Sequence, residues 1–99
     1  MWILQGVPDE DGDTITFRMP PGTIKTVGRA PRADFVVDAA LVSRLHCRLT
    51  ATDTGVDVVD LDSTNGTYIN DQRVKTGCIT NGDRLRIGRV EFTIALQPM

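Results

Sequence analysis

Four short segments of the chain carry side chains that can hold an anion, and three of them also contain glycine. Gly28 precedes Arg29, and Ser43 and Arg44 lie just before the only histidine, His46. An arginine guanidinium is a planar fork of donors that matches a phosphate group, and a nearby serine hydroxyl can donate to a phosphate oxygen. These residue types therefore indicate a phosphate-binding site. The other two segments are DSTNGT at residues 62–67 and NGDRLRIG at residues 81–88.

Each of these features also has a simple structural explanation when it is taken alone. Glycines such as Gly66 and Gly82 permit a positive φ at strand ends, and Asn-Gly pairs are common in turns. Arginines are often solvated surface charges. The combination favours binding, because Asn65 adds an amide donor and a carbonyl acceptor, which together can hold the main chain of an extended peptide.

Catalysis is the first alternative. Ser43 and His46 could act as a nucleophile and a base in a small hydrolase. The chain lacks the GxSxG motif of a nucleophile elbow, and it has one histidine in 99 residues. We therefore expect no enzyme activity, no catalytic residues and a structural role for His46. Mutation of Ser43 with an assay of ester turnover separates this alternative from binding.

Two cysteines, Cys47 and Cys78, are too few for a disulfide framework. Zinc generally requires four ligands, and the adjacent side chains of His46 and Cys47 point to opposite faces of a strand. We expect both cysteines to be structural, with no metal and no cofactor.

Charge and hydropathy exclude several classes of function. The net charge is −2, and four acidic residues are concentrated at Asp9, Glu10, Asp11 and Asp13, so the rest of the chain has a small positive balance. This balance is too weak for a nucleic-acid footprint but suits a small anionic ligand. No apolar run approaches the ~20 residues that span a bilayer, and no signal peptide is recognisable. We expect a cytoplasmic monomer that binds neither nucleic acid nor membrane.

Short runs of alternating apolar residues separated by turns predict the elements that would position these loops. The pattern is typical of an all-β sandwich or barrel with ten or eleven short strands. In RLHCRLTA, His46 and Arg48 are predicted on one face and Cys47 on the other. Asn70 and Asp71 form a two-residue step that suits a tight hairpin. In VDVVDL the alternation slips at residues 58–59, which predicts a β-bulge or burial on both faces.

The ordered set GR at residues 28–29, SRLH at 43–46, STNGTYIN at 63–70 and NGDRLRIG at 81–88 resembles the forkhead-associated (FHA) domain, a phosphothreonine-binding module. The resemblance covers nearly the whole chain. It implies a two-sheet antiparallel β-sandwich of about eleven strands, similar to FHA and SMAD folds, whose loops at one end bind a phosphorylated peptide. We expect one domain over residues 1–99, which could be the N-terminal part of a longer signalling protein.

The resemblance also implies a role for individual residues. Arg29 would contact the phosphate, Ser43 would donate its hydroxyl to it, and Arg44 would lie along the peptide or the phosphate. Thr64 would shape the pocket, and Asn65 would hydrogen-bond the peptide backbone. The remaining residues would support the site without touching the ligand: Gly28, His46 and Gly66.

The implied partner is a phosphothreonine-containing protein, the product of a Ser/Thr kinase. The second alternative is a phosphate-independent interaction or self-association domain that uses a sheet face, and only phosphopeptide binding needs the complete loop set. Three features carry no assigned role at this point: Asp71, where the family often has glycine, Arg32, which lies three residues after Arg29, and the acidic segment of residues 9–13.

Overall fold

The structure is a computed structural model that describes residues 1–7 and 14–98. These residues contain eleven β-strands and no helix, so none of them forms a helix that could cross a membrane. The all-β prediction and its strand number are confirmed. The acidic segment of residues 9–13 lies outside the described residues. The strands are β1 (Trp2–Val7), β2 (Ile15–Met19), β3 (Ile24–Gly28), β4 (Phe35–Val36), β5 (Cys47–Ala51), β6 (Val56–Asp60), β7 (Thr67–Ile69), β8 (Gln72–Val74), β9 (Thr76–Ile79), β10 (Arg84–Ile87) and β11 (Val90–Leu96).

The strands form two sheets. The first has the order β2-β1-β11-β10-β7-β8, and the second has the order β4-β3-β5-β6-β9. All pairings are antiparallel except that of β3 with β4, which is parallel over two residues at the edge of the second sheet. The predicted antiparallel sandwich is therefore confirmed, with one short parallel pairing added to it.

The core lies between the inward faces of the two sheets. On β11, Val90, Phe92 and Ile94 are buried, whereas the residues between them are exposed. On β5 the alternation is the same, with Cys47 and Leu49 buried. Burial of an aliphatic or aromatic side chain stabilises a fold by about 1.5–3 kcal/mol, so these alternating positions fix which face of each strand points inward.

Three details differ from the sequence-based expectations. The predicted bulge at Val58–Val59 is wrong, because β6 pairs with β5 in unbroken register and Val59 is only half-buried on the outer face. His46 does not share the solvent-facing side of Arg48, since β5 begins at Cys47 and His46 is fully buried. Strand β9 was not identified individually, because Thr-Gly-Cys-Ile has no clear alternation.

Loops from both sheets meet at one end of the sandwich. They are residues 29–34 between β3 and β4, residues 37–46 between β4 and β5, and residues 61–66 between β6 and β7. The turn after β10 lies beside them, since Gly88 approaches the carbonyl of Ala40. The turn at Asn81 lies at the other end of β10, where the Asn81 side chain accepts a hydrogen bond from Leu96. Part of the segment at residues 81–88 is therefore remote from the other motifs.

Candidate functional site

The first loop of the site leaves β3 at Gly28 and immediately joins the loop between β4 and β5. The amide of Arg29 donates to the carbonyl of Ser43 at 2.9 Å, and the amide of Ala30 donates to the carbonyl of Arg44 at 3.1 Å. A Cβ atom at Gly28 would overlap the carbonyl oxygen of Arg44. Glycine at position 28 thus allows the two backbones to approach closely enough to bond.

The guanidinium of Arg29 is held at its base. Its Nε donates to the carbonyl of Val42 at 3.1 Å, while the side chain as a whole remains exposed. Guanidinium has five N–H donors. The bond to Val42 uses one of them, so the two terminal nitrogens keep their four donors for a ligand.

The loop of residues 61–66 is joined to the loop of residues 37–46 by two hydrogen bonds. The amide of Thr64 donates to Oγ of Ser43 at 3.1 Å, and Nδ2 of Asn65 donates to the carbonyl of Leu41 at 3.1 Å. Because Oγ of Ser43 accepts from Thr64, its own O–H remains available as a donor. Asn65 likewise keeps one amide N–H and its carbonyl oxygen. Both residues therefore have polar atoms available for a ligand.

His46, which is fully buried, connects the same two loops from the interior of the domain. The amide of Ser43 donates to its Nδ1 at 3.1 Å, and its Nε2 lies 2.8 Å from the carbonyl of Gly66. A carbonyl oxygen only accepts, so Nε2 carries the proton and Nδ1 is the acceptor. The neutral Nε2–H tautomer satisfies both bonds, whereas a doubly protonated ring would lose the bond from Ser43. Burial lowers the pKa of His46 below its ordinary value, outweighing the opposite effects of Gly66 and Asp60.

Asp60, which the sequence analysis did not single out, holds the beginning and end of the loop of residues 61–66. Its Oδ1 accepts from Oγ of Ser63 at 2.5 Å and from Oγ of Thr67 at 2.7 Å, and its Oδ2 accepts from the amide of Ser63 at 3.2 Å. Burial alone would raise the pKa of Asp60, but these hydrogen bonds outweigh it and keep the pKa below its ordinary value. A sequence signal was available, because Asp60 continues the inward-facing positions of Val56 and Val58.

The predicted site residues lie around two open concavities that share Arg29. The first, of about 440 Å³, is lined in part by Arg29, Ser43, Thr64 and Asn65. Arg44 does not line it. Arg44 lines the second concavity, of about 410 Å³, together with Arg29 and Arg32. The three support residues lie where the loops join: Gly28, His46 and Gly66.

The arrangement is suited to binding an anion on an extended chain. A flexible but anchored guanidinium and a serine hydroxyl with a free proton line the same concavity, beside an amide with both donor and acceptor capacity. The imidazole of His46 is not available as a base for Ser43, because its Nδ1 binds the backbone of Ser43 and its Nε2 binds Gly66. The described residues contain no group of three or more potential metal ligands.

Comparison with known proteins gives a consistent result. The family model of the FHA domain matches residues 25–88. The glycogen accumulation regulator GarA of Mycobacterium tuberculosis is 35% identical over 75 residues, which cover 76% of this chain and 46% of GarA. The chain spans about half or less of the length of the curated relatives it matches.

Solved structures extend the similarity to almost the whole chain. The FhaA FHA domain, crystallised in complex with the intracellular domain of Rv3910, has a TM-score of 0.82 and 30% identity, covering 95% of this chain and 99% of that one. An FHA structure from a study of phosphothreonine-dependent FHA domain interactions has a TM-score of 0.77 and 28% identity, covering 98% of this chain and 99% of that one.

Proposed function

The chain belongs to the FHA-domain family, and from this premise we propose that it is a phosphopeptide-recognition module that binds phosphothreonine through the concavity lined by Arg29, Ser43, Thr64 and Asn65. We further propose that residues 1–99 act as one domain and that the module is a binding protein without catalytic activity or a cofactor. The observation that carries the proposal is that Arg29 and Ser43, which are distant in sequence, line the same concavity with their free donors.

Phosphate binding follows from the donors that remain after the loops have bonded to each other. A phosphothreonine carries a charge of about −1.5 to −2 near neutral pH. The terminal nitrogens of Arg29 can bind two of its oxygens as a fork, and the O–H of Ser43 can donate to another. Arg44 adds positive charge from the adjoining concavity. The site is formed in advance, since the bond from Arg29 to Val42 fixes the base of the guanidinium.

Asn65 and Thr64 are assigned to the peptide. The free N–H and carbonyl oxygen of Asn65 match the main-chain groups of one extended residue. The amide of Thr64 is bonded to Ser43, which holds its exposed side chain at the rim of the concavity. A peptide residue held by Asn65 would therefore place its neighbour close to Ser43.

The magnitudes agree with specific but reversible binding. Charge-assisted hydrogen bonds contribute about 1.5–3 kcal/mol each, and association with ordering of the peptide offsets a large part of their sum. A micromolar dissociation constant, corresponding to about −8 kcal/mol, is the expected order. An unphosphorylated peptide lacks the charge-assisted contacts and should bind negligibly.

The relatives support a signalling context. They include a glycogen accumulation regulator and an oxoglutarate dehydrogenase inhibitor, and both names indicate regulation rather than catalysis. We propose that the partner of this chain is a protein phosphorylated by a Ser/Thr kinase, that recognition occurs in the cytoplasm by a monomer, and that neither nucleic acid nor membrane takes part.

The test is the affinity of the Arg29→Ala variant for a phosphothreonine peptide, measured by fluorescence anisotropy. We expect at least a tenfold loss, about 1.4 kcal/mol or more, because the variant lacks the charged fork. Arg48→Ala is the matched control, since Arg48 is exposed on β5 and lines neither concavity. Equal binding of phosphorylated and unphosphorylated peptide by the unmodified chain would instead favour a phosphate-independent interaction domain.

A further inference from the structure

The second concavity contains more positive charge than the proposed phosphothreonine requires. It is lined by Arg29, Arg32 and Arg44 around the backbone of Ala30 and Pro31, and we call it the arginine concavity. Its three guanidiniums carry about three positive charges, whereas one phosphate monoester carries about −1.5 to −2. At least one positive charge therefore remains when a single phosphothreonine is bound.

No described carboxylate neutralises this charge. Among residues 1–7 and 14–98, the salt bridges are made by Lys75 and Arg84, and none involves an arginine of the arginine concavity. The nearest acidic residue in sequence, Asp34, is engaged elsewhere, since its Oδ2 accepts from the amide of Thr26 at 2.9 Å and from its hydroxyl at 3.1 Å. The three arginines thus line one concavity without an ion pair to a carboxylate in the described part of the chain.

The backbone beneath Arg32 is fixed although its side chain is exposed. The amide of Ala33 donates to the carbonyl of Ala30 at 3.0 Å, which closes a turn with Arg32 at its third position. Ala33 is buried, and the amide of Asp34 donates to the hydroxyl of Thr26 at 3.2 Å. Arg32 is therefore presented from a pinned turn, so little backbone ordering is needed when a ligand binds.

The two concavities differ in the chemistry they offer. The first combines Arg29 with hydroxyl and amide groups and with the carboxylate of Asp38, whereas the arginine concavity has arginine as its only charged residue type. Arg29 belongs to both. A peptide whose phosphate binds Arg29 can therefore place a second anionic group in the arginine concavity, beside Arg32 and Arg44.

We propose that Arg32, with Arg44 beside it, forms a second anion subsite that selects phosphothreonine peptides carrying another anionic side chain next to the phosphothreonine. This inference rests on the proposed function, because it names the ligand class of the same binding site. A carboxylate and a second phosphate share the chemistry that Arg32 recognises, so either could occupy the subsite.

The experiment compares phosphothreonine peptides that differ at one flanking position. Glutamate, phosphothreonine or glutamine is placed at each flanking position in turn, and dissociation constants are measured by isothermal titration for the unmodified chain, for Arg32→Gln and for Arg48→Gln. Arg48→Gln removes the same charge from the exposed face of β5 and is the matched control. Equal melting temperatures of the three proteins establish that each is folded.

We expect the unmodified chain to bind the glutamate peptide about three- to tenfold more tightly than the glutamine peptide at the preferred position, and the doubly phosphorylated peptide at least as tightly. Arg32→Gln should reduce this preference to less than about twofold while it binds the glutamine peptide as before, and Arg48→Gln should keep it. The preference should also shrink as salt is added.

Two results would overturn the inference. One is a preference that Arg32→Gln leaves intact, and the other is an unmodified chain that binds the glutamine peptide but gains nothing from either anion at any position. In both cases the proposed function stands. If the unmodified chain binds no phosphothreonine peptide at all, the proposed function itself fails, and the second subsite fails with it.

Discussion

Strand β7 has a turn-rich segment at each end, and the two segments are built differently. Before it lie residues 61–66, which we call the site loop, and after it lies the hairpin turn at Asn70 and Asp71. Both contain residues with positive φ: Gly66 has φ +91° in the site loop, and Asn70 and Asp71 have φ +48° and +71° in the hairpin. The turn residues of each segment, taken alone, are also those of a simple reversal of the chain.

The difference lies in where the polar groups of each segment are bonded. In the site loop, Ser63 binds the buried Asp60, and Gly66 accepts from the buried His46. In the hairpin, the amide group of Asn70 binds Asp83 and the backbone of Arg84, and all of these contacts are exposed. A turn that is bonded to buried polar groups is fixed by the fold, whereas a turn bonded at the surface can be altered at little cost.

The largest effect is expected for Asp60→Asn. This change keeps the shape of the side chain but replaces one acceptor oxygen with an NH₂ donor, which would face the donors of Ser63 or Thr67 in a buried site. We expect the free energy of unfolding, measured by urea denaturation, to fall by about 2–4 kcal/mol.

Asp71→Asn in the hairpin is the control for this prediction. Asp71 is exposed, and among the described residues its side chain is bonded to Arg84 alone, so its replacement should change the free energy of unfolding by less than about 1 kcal/mol. Equal losses for the two variants would contradict the distinction between the buried and the exposed turn.

Residue alternation predicted most of the fold because burial of one face is a strong constraint on each strand. The alternating positions of β5 and β11 were identified correctly, and so was the hairpin at Asn70 and Asp71. Strand β9 was not identified, because pairing with β6 determines it rather than any alternation of its own. The alternation appears to slip at Val58–Val59 because Val59 is an apolar residue on the outer face, and the hydrogen bonds between β5 and β6 are unchanged there.

The site could be predicted only in part. The residue types around Arg29 and Ser43 indicate a phosphate site from the sequence, but the path of the loops decides that Arg44 lines a different concavity from Ser43. The alternation of β6 predicts the inward-facing position of Asp60, but it does not predict the three hydrogen bonds of Asp60 to Ser63 and Thr67. These bonds depend on how the loop of residues 61–66 folds back onto β6, which residue spacing alone does not determine.

The second-largest effect is expected from His46, which should make the free energy of unfolding depend on pH. Its pKa in the folded chain is lower than the ordinary value of about 6.5, so folding favours the neutral ring. This stability is fully present above pH 6.5 and is lost as the pH falls from 6.5 towards the lowered pKa, because the unfolded chain then binds a proton that the folded chain does not. The slope cannot exceed about 1.4 kcal/mol per pH unit.

The measurement is straightforward because the chain has one histidine. The proton resonances of His46 should titrate below the ordinary pKa, and urea denaturation between pH 7.5 and 5 should show a falling free energy of unfolding. His46→Gln, although less stable, should lose most of this dependence. A titration of His46 at its ordinary value would mean that the two loops are not held by a neutral imidazole.

A smaller effect is expected from two alanine substitutions at glycines with the same φ. Gly66 and Gly82 both have φ +91°, but a Cβ at Gly66 would lie 2.7 Å from Nε of Arg73, whereas a Cβ at Gly82 would meet nothing within 4 Å. Each Gly→Ala change should cost about 1 kcal/mol from the left-handed backbone. The side chain of Arg73 can move away, but the Cβ would also lie 3.2 Å from Cε1 of Tyr68, so Gly66→Ala should cost more than Gly82→Ala.

The affinity for a phosphothreonine peptide separates these two variants. Gly66 follows Asn65 and accepts the bond from His46, so a shift of its backbone should weaken binding severalfold. Gly82 precedes β10 at the opposite end of the sandwich, and its replacement should leave binding unchanged. Loss of affinity in both variants would show that the site responds to the stability of the whole domain rather than to its own loop.

The smallest effect is expected for Asp71→Gly in the hairpin. Two successive residues with positive φ form a turn for which Asn-Gly is the preferred pair, so glycine should relieve strain at Asp71. The same change removes the exposed ion pair of Asp71 with Arg84 at 2.9 Å, which is worth about 0–1 kcal/mol, and it adds backbone freedom to the unfolded chain. The opposing contributions should leave the free energy of unfolding within about 0.5 kcal/mol of its starting value. Affinity for the phosphothreonine peptide should stay within about twofold, since Asn70 and Asp71 follow β7 at the end away from the site loop. A larger change in affinity would mean that β7 transmits structural changes from one end to the other, and the two turns would then have to be treated as one unit.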